Sequence, residues 1–337
     1  MKTVSLGIAN YCVPCHARCR YCLLCARGQT SGVDGRRGAV LAGRVLPELA
    51  GERPEVKGFY YIGYCMDTPE LGEYIRFCRA HASPGARFLQ MNGFAFRGQD
   101  ELRKLTDSIR DGGVTLIDLT FYGTEAYHDR FAGRAGDFRF LLKMLEAANA
   151  SGLPVHISIP LIRENMEQMP ELFWTLSGYE VEKRLVFLPH SKGRGRSVQD
   201  QRITRREFEG LPEEVRRSFT AVPHRTESEW LAAGEFPEAR TRNLNLVLNA
   251  ENIGRLERMP AGEILRRLEE TDDEYLRRMP PPRALAARYG RPENEQLFRL
   301  RDLLLLWRQR YIEETGGALY DMKDESHHFS VYLEEQG

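Results

Sequence analysis

A chain of 337 residues, 42% of them hydrophobic, is long enough to bury one large core or two smaller ones. Lysine plus arginine equals aspartate plus glutamate at 48 each, so no overall field draws the chain to nucleic acid or to an anionic membrane. The longest strongly apolar run, Leu303 to Trp307, is far too short to span a bilayer, and a soluble, cytoplasmic protein is expected.

Residues 3–9, TVSLGIA, read as a strand that runs directly into CVPCHARCRYCLLC, Cys12 to Cys25, where five of the seven cysteines fall within fourteen residues. Disulfide pairing belongs to short secreted chains, and MKTVSLGIANY has no apolar core with a cleavage site, so a metal site is the better reading. Two kinds of site fit the spacing. Cys12, Cys15, Cys22 and Cys25 form two CxxC knuckles of the zinc-binding type, although the six residues between them are few for a zinc ribbon. Alternatively Cys15-x3-Cys19-x2-Cys22, with the aromatic Tyr21 before the last cysteine, would hold a [4Fe-4S] cluster on three thiolates and leave one iron open to a small molecule. A fourth thiolate from Cys12 or Cys25 would instead saturate the cluster and suit an electron-transfer protein.

Beyond the cysteines the pattern alternates. GFYYIG (58–63), RFLQMNG (87–93), VTLIDLTFYG (114–123), PVHISIPLI (154–162) and KRLVFLP (183–189) read as strands. Helical stretches separate them: 71–82, a stripe of Leu102, Leu105 and Ile109 that stops at Gly112 and Gly113, and another of Phe140, Leu141, Met144, Leu145 and Ala148. Six strands alternating with helices predict an α/β fold of parallel units, a partial (β/α)6 TIM-like barrel, with functional residues at the strand C-terminal ends. After residue 192 the chain turns basic and polar, then offers a short strand at 243–249 and helices at 261–270 and 293–314 around the breaker MPPPR. Residues 1–200 are therefore expected to form the barrel and 201–337 a smaller, mostly helical region.

With these motifs in order the chain resembles the radical S-adenosylmethionine (SAM) enzymes, in particular the branch with SPASM or twitch C-terminal domains. The resemblance covers roughly residues 3–270, and its most specific element is Cys15-x3-Cys19-x2-Cys22 with Tyr21. It implies that Cys15, Cys19 and Cys22 carry the [4Fe-4S] cluster, and that the free iron takes SAM, whose reductive cleavage gives a 5′-deoxyadenosyl radical. It places Tyr21 near the cluster or the adenine. GYCMDTPEL (63–71) falls where the family has a Gly-Gly-Glu-Pro turn, so Gly63, Tyr64, Cys65 and Asp67 are candidates for the SAM pocket, Asp67 as an acceptor for its amino group. Asn92 and Gly93 match the end of the third strand, and Thr120 stands where the family has a serine. A peptide or small-molecule substrate is implied, and a flavodoxin or ferredoxin as electron donor. NAENIGRLERMPAGEILRRL (249–268) looks like a twitch segment, but residues 79–337 contain no cysteine, so a second cysteine-bound cluster cannot form there.

Other residues carry weaker expectations. Cys12 and Cys25 read as loop thiols and Cys78 as core. His16 stands among the cluster cysteines, His128 beside the turn at Asp129, and His190 after the sixth strand, within reach of the substrate. His327 and His328 are adjacent, which points them to opposite faces of a strand and weakens a metal-binding reading.

Overall fold

The computed structural model describes residues 3–10, 15–22, 33–62, 67–68, 70–82, 88–191, 193–236, 241–248 and 250–315. Cys12, Cys25, Gly63, Tyr64, Cys65, His327 and His328 lie outside them.

The first half alternates strand and helix: β1 (Thr3–Asn10), α1 (Gly35–Glu52), β2 (Val56–Ile62), α2 (Leu71–His81), β3 (Phe88–Gln90), α3 (Gln99–Asp111), β4 (Leu116–Thr120), α4 (Glu125–Ala132), α5 (Asp137–Ala150), β5 (Val155–Pro160), α6 (Met169–Leu176) and β6 (Lys183–Phe187). All six strands run parallel, in the hydrogen-bonded orders β2-β1 and β3-β4-β5-β6, as expected of a partial α/β barrel. Period-two alternation decides which side each residue faces. Val4, Leu6 and Ile8 of β1, Ile117 and Leu119 of β4, and Val155, Ile157 and Ile159 of β5 are all buried in the core. Burial of each such side chain stabilises the fold by about 1.5–3 kcal/mol. Asp118, Thr120 and Ser158 alternate with them and so point to the other, concave face.

Helix α1 carries a stripe of Leu41, Ala42, Val45 and Leu49, but Pro47 and several glycines within it mask the helix in the sequence. Close approach explains the glycines. A Cβ on Gly43 would sit 2.0 Å from the His81 carbonyl oxygen, and one on Gly35 would fall 2.0 Å from the Tyr74 hydroxyl. Only bare backbone lets α1 lie this tightly against α2.

The remainder comprises α7 (Arg205–Glu209), α8 (Glu213–Arg217), β7 (Arg225–Thr226), α9 (Glu227–Ala233), β8 (Thr241–Leu248), α10 (Ile253–Leu256), α11 (Ala261–Arg278), α12 (Pro282–Tyr289), β9 (Leu297–Phe298) and α13 (Leu300–Thr315). Strand β8 pairs in parallel with β1 along its whole length, Thr3 opposite Thr241 and Asn10 opposite Leu248. The sheet therefore does not stop at residue 200: β1 would otherwise expose one row of unpaired backbone groups, and β8 covers it. The proline run acts differently from a simple breaker, because Pro282 occupies the first turn of α12, where its missing N–H costs nothing. Helix α13 starts at Leu300 rather than near 293, since Leu297 and Phe298 pair with β7. That ribbon shares a second core with Trp230, Leu285, Leu303, Leu304 and Trp307. Buried Glu227 pins it, accepting from Trp307 Nε1 at 2.7 Å, Asn294 Nδ2 at 2.7 Å and the Arg291 N–H at 3.0 Å.

Candidate functional site

The cysteine loop leaves the C-terminal end of β1 and is fastened by its backbone to neighbouring units of the barrel. The His16 N–H donates to the Gly93 carbonyl at 2.8 Å, Arg18 N–H to Ala132 at 2.7 Å, and Arg20 N–H to Phe131 at 2.8 Å. Gly133 permits the closest approach. It has φ +64°, and a Cβ there would lie 2.9 Å from the Arg18 carbonyl oxygen. Arg20 adds an ion pair with Glu164 at 2.6 Å. Tyr21 is buried and accepts the His190 N–H at 3.1 Å, tying the loop to the segment after β6.

Cys15 is exposed, while Cys19 and Cys22 are half-buried. Burial pushes the Cys19 thiol up to about 12; a hydrogen bond from Tyr122 pulls it back, and nearby Cys15, Cys22 and Asp137 push it further up. Three sulfurs that would repel one another as thiolates form a donor set suited to a cationic iron centre. Among the described residues, no group of three His, Cys, Asp or Glu side chains is gathered so as to hold a metal ion. A cubane makes a looser demand than a single ion, because each thiolate binds a different iron.

The other expected residues surround this loop. Asn92 Nδ2 donates to the Thr120 carbonyl at 2.9 Å, and Thr120 N–H donates to Asn92 Oδ1 at 2.7 Å, which fixes the ends of β3 and β4 relative to each other. Gly93 follows with φ +81° and presents the carbonyl that His16 uses. Asp67 is engaged within the chain: it accepts from the Ala95 N–H at 2.6 Å, pairs with Arg97, and lies 3.4 Å from His16 Nε2. Through these contacts Asp67 ties His16 of the cysteine loop to the segment after β3.

Several contributors escape a sequence reading. Tyr122 packs with Tyr21, Tyr127, Phe131 and Ile162 in a small apolar cluster against Cys19. On the concave face Asp118 accepts from Ser158 Oγ at 2.7 Å and Gln90 Nε2 at 3.3 Å, and burial raises its carboxyl above the usual range. The only sequence signal for it is a charged residue at an alternating position of an apolar strand. His190 follows β6, where its N–H meets Tyr21 of the cysteine loop, and its ring faces Asp302 of α13, Nδ1 to Oδ1 3.3 Å. Helix α13 thus reaches the mouth of the barrel. A groove lined by Val181, Arg184, Glu213 and Arg217 lies by the start of β6, at the opposite end from the cysteines.

No protein-family model matches the chain. A curated relative, an AdoMet-dependent heme synthase of Oleidesulfovibrio alaskensis, is 26% identical over 200 residues, 58% of this chain and 48% of its own length. The chain thus spans about half the length of that relative. Among solved structures it is similar to Streptococcus suis SuiB bound to precursor peptide SuiA, with a TM-score of 0.47, 12% identity, and coverage of 73% of this chain and 58% of that one. It is also similar to HemN of Escherichia coli, a coproporphyrinogen III oxidase described as a radical SAM enzyme, with a TM-score of 0.38, 14% identity, and coverage of 64% and 50%. Structural likenesses at these scores are loose, and the chemistry of this chain is argued from its own residues. The curated match, an AdoMet-dependent enzyme, agrees with the resemblance read from the cysteine loop.

Proposed function

We propose that the chain binds a [4Fe-4S] cluster through Cys15, Cys19 and Cys22 and cleaves SAM reductively to modify a peptide or small molecule. The carrying observation is the loop that bears these three cysteines beyond a parallel strand, fastened by its backbone to the ends of β3 and α4. Bound there, the cluster would supply a low-potential electron and one open iron, the means of turning SAM into a 5′-deoxyadenosyl radical that abstracts hydrogen.

The chain's residues do the rest. The staples from His16, Arg18 and Arg20 keep the thiolates in register with the barrel mouth. Asn92, Gly93 and Thr120 shape the wall that meets SAM, joined by Gly63, Tyr64 and Cys65 from the β2 end; Asp67 and Tyr21 hold the wall and the loop together. Residues 201–337, apart from β8, which completes the sheet beside β1, serve as a twitch-like cover over the barrel, with α13 excluding water from the mouth through the His190–Asp302 contact. The work is placed in the cytoplasm, with a flavodoxin or ferredoxin as donor.

Oxygen-free reconstitution with iron and sulfide, followed by SAM and reductant, tests the reading. Formation of 5′-deoxyadenosine is expected. A colourless zinc protein, or a cluster with four cysteine ligands and no SAM turnover, would overturn it.

A further inference from the structure

Positive charge gathers beyond the end of β6, and the chain supplies too little negative charge to balance it. Arg202 is wholly buried, yet its guanidinium donates only to neutral groups: Gln199 Oε1 at 2.6 Å, the Leu297 carbonyl at 3.1 Å, Ser191 Oγ at 3.3 Å and the Pro189 carbonyl. Burial pushes it down to about 10, against a smaller upward pull from Asp302. Arg301, the second residue of α13, donates to His190 Nδ1 at 3.1 Å. Wholly buried Asp302 is the carboxylate of this network, and it is engaged by His190 Nδ1 at 3.3 Å and the Ser191 N–H at 3.2 Å. Among the described residues neither Arg202 nor Arg301 is ion-paired with a carboxylate; Asp302 pairs with His190. Two guanidinium groups thus share one carboxylate in a low-dielectric setting, an arrangement that favours a further anion.

Two members of the network can be reached from outside it. Arg301 is half-buried, and the His190 side chain is 17% exposed, with no partner on Nε2 among the described residues. A guanidinium can only donate, so His190 Nδ1 accepts from Arg301 and the ring proton lies on Nε2. Nε2 is therefore a donor, and protonation of the ring would leave it one. The placement of Arg301 has no helical reason either. A cation in the first turn opposes the helix dipole, whereas Asp302 beside it is favoured there.

Resting on the reading of the barrel mouth as the place of reaction, we infer that Arg301 and His190 Nε2 form a binding site for a carboxylate of the substrate, which makes the substrate an acid. The remaining N–H groups of Arg301 form the planar fork that suits a carboxylate, and Nε2–H adds a donor beside it. Asp302 is a positioning residue that fixes His190 through Nδ1 and the Ser191 N–H. The His190 N–H in turn meets the Tyr21 hydroxyl at 3.1 Å, so an acid held here lies beside the cysteine loop.

The test is a titration of the full-length chain as purified, with acetate as probe and acetamide as its uncharged match at constant ionic strength, read by NMR of the His190 ring nitrogens. Acetate is expected to shift Nε2 saturably, and acetamide to leave it in place. Arg301→Gln should weaken the acetate response about tenfold through loss of a charge-assisted hydrogen bond. Arg217→Gln, in the groove at the opposite end of the barrel, should match wild type. No saturable shift in wild type, or an unchanged response in Arg301→Gln, would overturn the inference. If Arg301→Gln fails to fold, phenylglyoxal modification of wild-type Arg301, located by mass spectrometry, decides. Slowing by acetate but not by acetamide supports the site, and no slowing refutes it. SAM carries a carboxylate of its own, so the modification is repeated on reconstituted chain with SAM. Protection by acetate that persists beside SAM assigns the site to the substrate; protection by SAM alone would give the site to the cosubstrate and overturn the assignment. Failure to take up iron and sulfide would refute the cluster reading and leave the acetate result standing, so the two failures are separable.

Discussion

Asn92 and Thr120 exchange two hydrogen bonds between a side-chain amide and a backbone peptide, at 2.9 and 2.7 Å, so one side chain substitutes for a rung of sheet where β3 has already ended. Asn92→Ala leaves a peptide N–H and a carbonyl half-buried without those partners. The expected cost is about 1–3 kcal/mol in urea unfolding. Asn92→Asp retains the acceptor and loses the donor, and should fall between alanine and wild type.

Cys19, proposed as a cluster ligand, and Cys78, in the core, respond differently to loss of the thiol. Cys19→Ala should abolish iron and sulfide uptake, whereas a zinc module built on Cys12, Cys15, Cys22 and Cys25 would keep its metal. Cys78 is fully buried on α2, away from the loop. Cys78→Ala should load normally and lose about 1 kcal/mol in thermal unfolding through the small cavity it creates.

Gly133→Ala tests the approach of the cysteine loop. The variant adds a Cβ at φ +64° and 2.9 Å from the Arg18 carbonyl, so the loop must shift. A loss of about 1–2 kcal/mol is expected from the backbone alone. Faster loss of iron to a chelator should accompany it, a readout that backbone strain elsewhere would not change.

Acid should weaken the contact between the C-terminal cover and the barrel. Burial, with the Arg299 and Arg202 charges beside it, pushes His224 down to about 4 from its usual 6.5, against a smaller upward pull from Asp302. Its Nε2 is buried without a hydrogen-bond partner. Between pH 6.5 and about 4 the unfolded chain binds the proton and the folded chain resists it. Stability is therefore full above pH 6.5 and declines as pH falls, by up to about 3 kcal/mol in all. Melting temperature followed over that range should show the decline, and His224→Gln should flatten it.

Much of the barrel is legible because strand alternation and helical stripes are local. LIDLT and VHISIP declare their faces, and the cysteine spacing marks its own loop. Helix α1 is not legible: its glycines are chosen by the backbone of α2, which adjoins it only after folding. Tyr122 is hidden for the same reason, since nothing near it in sequence shows that it shares an apolar cluster with Cys19, about a hundred residues earlier. The partners of Asp67, Arg97 and the Ala95 N–H, lie about thirty residues further on and are not legible from its own segment. The split at residue 200 follows a change in composition that the sheet does not share, because β8 pairs with β1 across more than 230 residues of chain.

Cutting the chain after residue 200 should consequently fail to give a folded barrel. β1 would become an edge strand of apolar sequence, which invites aggregation. Recovery of a soluble, cooperatively unfolding 1–200 fragment would contradict the importance of the β1–β8 pairing.

That pairing also sets a clock during synthesis. At about 5–20 residues per second, the ribosome needs some tens of seconds after releasing β1 before β8 emerges to flank it. Throughout that interval the cysteines beyond β1 follow an unfinished sheet, so the wall that carries their loop is completed late in the life of the nascent polypeptide.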